Sequence, residues 1–507
     1  MKLNYKRIIC VGFAFFLISA FWQAYDTIIP KILTDKFGLN QTISGAVMAL
    51  DNILALFMLP LFGTLSDKCK SKHGKRTPFI LIGTLCAVIA FVGMSFADNA
   101  QLAKLESVAP TAENAQSVLY EAVDEFKTPE GDIIVMKDRF TAEEYAAIEM
   151  YDEDDKVTAE YTNYVTPARQ AYARKVTAEN PGKLIIFIAI LLMTLISMAT
   201  FRSPAVALMP DVTVKPLRSK ANSIINLMGA AGGIIVLVLG MLFNTGKTHN
   251  ALMSYTGFFC VIAGIMLLAL VVFRITVNEP KLVKQMEEDT VKYGIEETPD
   301  EEEKASGNRK LSRGEFVSLI LILASVALWY MGYNAVTSKY SVYASTVLNL
   351  DYNLTLTIAT AAAIVCYIPA GLLASKFGRK KTIIAGIIML GSAFFLASFA
   401  RNGWPVMAMN AIFIMAGLGW ATINVNSYPM VVELSRGGDV GKYTGFYYTA
   451  SMAAQTITPM LSGIFMDIEI TSLFVYATVM VFAALFTMMF VKHGDSKPIG
   501  KKKAEAE

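Results

Sequence analysis

Asp26, Asp51 and Arg202 stand inside long apolar stretches of this 507-residue chain. A charge at the centre of a bilayer costs about 2.5–3.5 kcal/mol on insertion scales, so such side chains are expected to face a protein interior or an aqueous cleft. Their depth follows from a rise of about 1.5 Å per residue. Asp26 lies 19 residues from Arg7, roughly 28 Å away, and Asp51 lies 16 residues from Asp67, roughly 24 Å away. Arg202 lies 9 residues before Asp211, roughly 14 Å, near mid-membrane. Two carboxylates at similar heights and a cation below them can take up a proton and exchange partners. A static ion pair tying helices together, or an acid at a wet outer mouth, would use the same residues.

Stripes of polar and aromatic residues at helical spacing accompany these charges. Trp22 and Gln23 share a face with Asp26. Asn222 and Asn226 lie one turn apart, and Tyr330, Tyr333 and Asn334 form a third group. Trp420 and Asn424 make a fourth, and Tyr448 with Gln455 a fifth. Any one stripe is explained by helix packing or interhelical hydrogen bonding. Together they favour a polar cavity over one filled by lipid. Catalysis has no such support. Gly240…Gly246-Lys247-Thr248 approaches a phosphate loop but has five intervening residues rather than four. No Ser-His-Asp or paired-cysteine pattern occurs, and the three histidines (His73, His249, His493) sit at helix ends or in a tail. The chain therefore reads as neither an enzyme nor a metal protein.

The elements that carry these residues are membrane spans. The chain is 54% hydrophobic and only 17% charged, with a net charge of +3 too small to argue for nucleic acid. Apolar runs of about twenty residues recur along it, the length that crosses the hydrocarbon. They predict an all-α integral membrane protein with spans at roughly 8–30, 42–65, 78–98, 183–208, 219–243, 252–276, 315–338, 353–374, 381–401, 404–427, 441–465 and 470–491. The N-terminal run continues through Trp22 and Asp26 with no small-residue cleavage site, so it reads as the first span. Lys68, Lys70, Lys72, Lys75, Arg76, Lys215, Arg218, Lys220, Lys376, Arg379, Lys380 and Lys381 mark one set of loops as cytoplasmic. The opposite loops carry little beyond Lys31, Lys36, Lys247, Lys339 and Arg401. Twelve spans then place both termini in the cytoplasm of a cell membrane protein.

The organisation is expected to be spans one to three in 1–98, an acidic extracellular insert at 99–182, and spans four to six in 183–276. A cytoplasmic linker at 277–314, spans seven to twelve in 315–491 and a basic tail at 492–507 complete it. The insert holds 17 acidic and 8 basic residues and reads as a solvated decoration, with Thr141 and Glu144 spelling a capping box. The five cysteines (Cys10, Cys69, Cys86, Cys260, Cys366) form no CxxC pair and read as small hydrophobes.

The halves repeat. Gly63-Thr-Leu-Ser-Asp67-Lys68 with Gly74-Lys75-Arg76 closes the second span, and Gly371…Lys376-Phe377-Gly378-Arg379-Lys380 closes the eighth. Pro210-Asp211 with Arg218 precedes the fifth span, as Pro429 with Glu433 and Arg436 precedes the eleventh. Repeated halves are what rocking about a central site requires. The 2–3 loop resembles the signature loop of the major facilitator superfamily. The stretch from Gly63 to Pro78 resembles the glycoside–pentoside–hexuronide cation symporters. Asp26-Thr-Ile-Ile-Pro30, Leu50-Asp51-Asn52, Arg202-Ser-Pro204 and Gly441-Lys-Tyr-Thr-Gly445 are most similar to the sucrose/maltose-type proton symporter branch.

That resemblance implies a major facilitator fold of twelve transmembrane helices in two six-helix halves. It implies a monomer that moves a small sugar, a disaccharide or other glycoside, with a proton gradient as drive and no cofactor. Asp26, Asp51 and Arg202 would couple the proton, and the polar stripes would hold the sugar. Gly63, Asp67, Gly74, Arg76, Asp211, Arg218, Gly371, Gly378, Arg379, Glu433 and Arg436 would gate the inner side. Asp67 would lock it by facing the N-terminus of a neighbouring span; Ser375 stands in the matching place of the second half. The melibiose-type sodium symporters carry acids one and five positions before the proline matching Pro60. Leu59 and Ala55 stand there, and the eleventh span has no mid-membrane lysine, which favours protons over sodium. A facilitator-fold lysolipid transporter and a non-transporting membrane sensor or scaffold remain the alternatives.

Overall fold

The computed structural model describes residues 4–214, 217–292, 312–432, 434 and 440–494. The apolar runs become long helices: Tyr5–Lys31, Leu50–Asp67 (preceded by Gln41–Met48), Thr77–Leu102, Gly182–Asp211, Arg218–Leu242 and Thr256–Thr276 in the first half. Arg313–Tyr343, Tyr352–Phe377, Arg379–Ala397, Val406–Val432, Val440–Ile468 and Ser472–Met489 make the second. Eleven of these spans are long and apolar enough to cross a membrane. Val440–Ile468 has the length, at 29 residues, but its stretch of tyrosines, threonines and glycines dilutes its apolar character.

Each half has its own hydrophobic core, one built around Phe21, Phe91 and Phe259 and the other around Trp329, Tyr340 and Phe474. Glycine lets helices meet closely where the first span crosses the fifth: a Cβ on Gly232 would lie 2.6 Å from the Phe16 carbonyl oxygen. We call the face with the basic loops inner and its opposite outer. Hydrogen bonds between the halves, among the described residues, all lie at the outer ends. Lys31 Nζ donates to Ser345 Oγ (2.9 Å) and Lys339 Nζ to the Gln41 carbonyl (2.8 Å). Asn353 Nδ2 donates to Thr245 Oγ1 (3.0 Å), and the amides of Gln41 and Thr42 donate to Asp467 (2.6 and 2.8 Å). The outer side is closed.

Two expectations about boundaries need correction. The first span runs beyond residue 30 through a π-turn, Ile32–Lys36, and the seventh beyond 338 to a π-turn, Ala344–Leu348. Lys31, Asp35, Lys36, Asp98 and Lys339 are therefore buried in helical segments, so Asp26, Asp51 and Arg202 are not the only charges within spans. Mutual pairing explains why the helices continue: Lys36 meets Asp98 at 2.6 Å with neither side chain accessible, and Lys31 meets Asp35 at 3.4 Å. The insert between Leu102 and Gly182 is a folded lobe, with a buried core that includes Leu119, Phe126, Tyr145 and Tyr161. A hairpin pairs Glu125–Lys127 with Ile133–Val135, and the Thr141–Glu144 capping box is formed. The linker begins as a helix, Glu279–Lys292.

Candidate functional site

The first, second and fourth spans bring Asp26, Asp51 and Arg202 within electrostatic reach of one another. No nitrogen–oxygen contact within 4.0 Å joins them, so the arrangement is not a static salt bridge. Arg202 lies over the Trp22 ring, 5.2 Å from its centroid, a geometry that stabilises a cation without neutralising it. Asp51 accepts a hydrogen bond from Asn52 Nδ2 at 2.8 Å. Trp22, Asp51 and Arg202 line a small cavity with Ala55 and Leu59; Asp26 is not part of its lining. The indole N–H of Trp22 is buried without a protein acceptor, a donor left for a ligand or water. Gln23 is half-buried beside Gly233.

The seventh and tenth spans supply the facing wall. Tyr333 stacks on Trp420 with centroids 3.6 Å apart and rings nearly parallel, while Tyr330 meets the same indole edge-on at 5.2 Å. Tyr333 is within electrostatic range of Asp26 on the other half. Asn334 Nδ2 donates to the Gln455 carbonyl (3.2 Å), and Gln455 Nε2 donates to the Ser451 carbonyl (3.2 Å). Asn424 lies beside the Tyr367 hydroxyl. Tyr447, not singled out from sequence, is a hub: its hydroxyl meets Tyr330 Oη (3.4 Å) and Ser427 Oγ (2.9 Å). Tyr448 is 53% exposed and packs against Tyr447 and Tyr428, and Asn226 is exposed on the fifth span. The Asn222 side chain lies outside the described residues.

At the inner face, Arg76 gathers the loop residues of the first half. It pairs with Asp67 at 2.5 Å and with Asp211 at 2.8 Å, and donates to Ser66. Burial disfavours its charge, yet the bonds to Asp211 and Asp67 hold the guanidinium above its ordinary pKa. Asp67 was expected to face a helix N-terminus; it pairs with Arg76 instead and is 61% exposed. Glu279 takes the helix-capping role, accepting the amides of Lys75 (2.7 Å), Arg76 (3.0 Å) and Thr77 (2.8 Å). It packs so closely on Gly74, at φ +106°, that a Cβ there would lie 2.3 Å from its carboxyl group. Gly63 borders Ser203 and Gly371 borders Val425. In the second half Gly378, at φ +94°, breaks the eighth span from the ninth, and Arg379 donates to the Pro429 carbonyl (3.3 Å). The Arg218 side chain, Glu433 and Arg436 lie outside the described residues.

Two helical lobes, each with its own core and joined at their outer ends, have the architecture of a membrane carrier. The profile described as Major Facilitator Superfamily matches residues 180–366 and 343–507, and one described as MFS/sugar transport protein matches residues 10–109. The chain belongs to the Major Facilitator Superfamily. It is 32% identical over 99 residues to the proton-associated sugar transporter A of Mus musculus, covering 18% of this chain and 13% of that one. It is 37% identical over 67 residues to the sucrose transport protein SUC3 of Arabidopsis thaliana, covering 13% and 11% respectively. The chain thus spans a small part of the curated relatives it matches. Its fold is similar to the inward-open xylose transporter XylE of E. coli, with TM-score 0.60, 15% identity and coverage of 99% of this chain and 98% of that one.

Proposed function

We propose that this chain imports a small glycoside, specifically a disaccharide, together with a proton, by alternating access in the cell membrane with both termini cytoplasmic. The observation that supports the reading is the pairing of two features: Asp26, Asp51 and Arg202 beside Trp22 in the first half, and the Tyr333–Trp420 stack in the second, with Tyr333 within electrostatic range of Asp26. Aromatic faces suit the apolar faces of a sugar ring, and amides, hydroxyls and carboxylates suit its hydroxyl groups. Local similarity to proteins named as sugar transporters supports the substrate class. A carboxylate with no ion-pair contact can take a proton while the cleft is open outside. Neutralising it changes what Arg202 faces, and the site can then turn inward with one charge fewer. A membrane potential near 100 mV adds about 2.3 kcal/mol for each charge carried inward.

Uptake of labelled sugars into proteoliposomes, with and without an imposed gradient that is acidic outside, tests the reading. At least one disaccharide accumulates above its external concentration only when the gradient is present. Accumulation that ignores the gradient refutes the coupling, and uptake of labelled lysolipid with no sugar uptake refutes the substrate class.

A further inference from the structure

The insert between the third and fourth spans is continuous with the first half and docks on it tightly. Arg174 Nε donates to the Gly38 carbonyl (3.0 Å), and Gln170 Nε2 donates to Asp35 (3.2 Å). Gly38, at φ +62°, lies so close that a Cβ would sit 2.3 Å from the Arg174 backbone nitrogen. Leu252 of the first half is part of the insert's core. The lobe is therefore carried rigidly by that half.

It also grips every outer turn of the other half. Asn349, after the seventh span, donates from Nδ2 to Thr162 Oγ1 at 2.7 Å. Asn402, between the ninth and tenth spans, donates to the Val157 carbonyl at 2.7 Å. Between the eleventh and twelfth, the Ile470 amide donates to the Pro129 carbonyl at 3.1 Å, and Lys127 Nζ donates to the Asp467 carbonyl. Gly131 at the hairpin tip, at φ +103°, rests on the Ile468 carbonyl oxygen. Asp467 is also the residue whose carboxylate receives the Gln41 and Thr42 amides across the closed outer ends. A solvated decoration would have no reason to place its polar contacts on these three turns.

We infer that residues 103–181 form a latch that holds the outer gate shut. It moves with the first half and must release the Asn349, Asn402 and Asp467–Ile470 turns whenever the cleft opens outward. The latch rests on the alternating-access part of the proposed function and is independent of which solute is carried. Its strength sets the balance between outward-closed and outward-open forms, because contacts present in one form alone are what shift a two-state equilibrium.

The test uses the full chain in nanodiscs, with native cysteines replaced and spin labels at Lys247→Cys and Arg401→Cys, exposed outer sites on opposite halves. Lys127→Met, Thr162→Ala and Asn402→Ala together remove three latch bonds and change none of the apolar residues of the lobe's core. The population with long label separation should rise about tenfold, while Lys137→Ala, on the lobe but away from these turns, leaves it unchanged. An unaltered distance distribution in the triple variant overturns the latch. Should that variant fail to fold, Val157→Cys with Asn402→Cys, joined by a cleavable thiol crosslinker, replaces it, the labels at 247 and 401 then being carried on ketone-bearing unnatural residues so that no other thiol is present. Crosslinking abolishes the long-separation population and cleavage restores it; a distribution indifferent to the crosslink overturns the latch. Neither arm reads sugar uptake, so failure of the sugar reading and failure of the latch are distinguishable.

Discussion

Asp467 offers the sharpest perturbation of the outer gate. It comes from the C-terminal end of the eleventh span, yet its oxygens receive the Gln41 amide at 2.6 Å, the Thr42 amide at 2.8 Å and the Thr42 hydroxyl. It thus caps the first turn of the second span from the other half of the molecule. Asn40 remains as the local cap, accepting the Ile43 amide at 2.8 Å, so Asp467→Ala removes only the cross-half contribution. A side-chain cap is worth about 1 kcal/mol, and a carboxylate at a helix N-terminus adds up to about 1 kcal/mol more. Their sum, about 2 kcal/mol, shifts the closed-to-open ratio roughly 30-fold. Asp467→Asn keeps one acceptor oxygen and loses the charge, so about 1 kcal/mol, or roughly fivefold, is expected. Ser44, wholly buried at this gate, reports opening as Ser44→Cys reacting with a membrane-impermeant maleimide in a background lacking the native cysteines. The reaction should accelerate in the order Asp467, Asn, Ala. Equal rates in all three would refute the cross-half cap as a determinant of closure.

Other outcomes follow from the same geometry. A Cβ at Gly45 would lie 1.9 Å from the Pro459 carbonyl oxygen, and one at Gly463 would lie 2.2 Å from that of Gln41. Either Gly→Ala change should oppose outer closure by about 3 kcal/mol, lowering turnover more than about 100-fold while Ser44→Cys becomes reactive. Lys36 and Asp98 are both inaccessible, so Lys36→Met alone should cost roughly 3–5 kcal/mol and lower the thermal unfolding midpoint by several degrees. Adding Asp98→Leu should recover most of that loss; no recovery would argue against the pair as the cause. Trp420→Ala should raise the KM for sugar about tenfold and Trp420→Phe about threefold, since an aromatic contact is worth about 0.5–1.5 kcal/mol. Kinetics unchanged in both would remove Trp420 from the binding wall.

The twelve spans and the twinned halves were legible because bilayer thickness imposes a length that composition must satisfy. Asp26, Asp51 and Arg202 could be singled out for the same reason, since their cost in hydrocarbon makes them conspicuous. The outer charges were misread by the same logic. Lys31, Lys36 and Lys339 look like loop residues until their partners Asp35, Asp98, Ser345 and the Gln41 carbonyl are seen. Asp98, Ser345 and Gln41 lie on other helices, which no periodicity within one segment reveals; Asp35 is one turn from Lys31, but only the π-turn that extends the span makes the two helical neighbours. Glu279 was hidden for a similar reason, because a carboxylate in an acidic linker gives no local sign that it will cap a helix 202 residues away. The capping box of the insert was visible because Thr141 and Glu144 lie three residues apart. The docking of that insert on three turns of the opposite half was not visible, being wholly long-range. Tyr447 escaped notice because the alternate Tyr448 carries the same chemistry one position along, and only packing decides which of the two faces Tyr330 and Ser427.

Asp51→Asn tests proton coupling most directly when two fluxes are measured on the same proteoliposomes. One is uphill accumulation of labelled disaccharide under a gradient that is acidic outside, and the other is exchange of internal for external sugar with no gradient. Accumulation should be abolished while exchange continues at a substantial fraction of the wild-type rate. Equal loss of both, or accumulation that persists, would contradict the coupling role of Asp51.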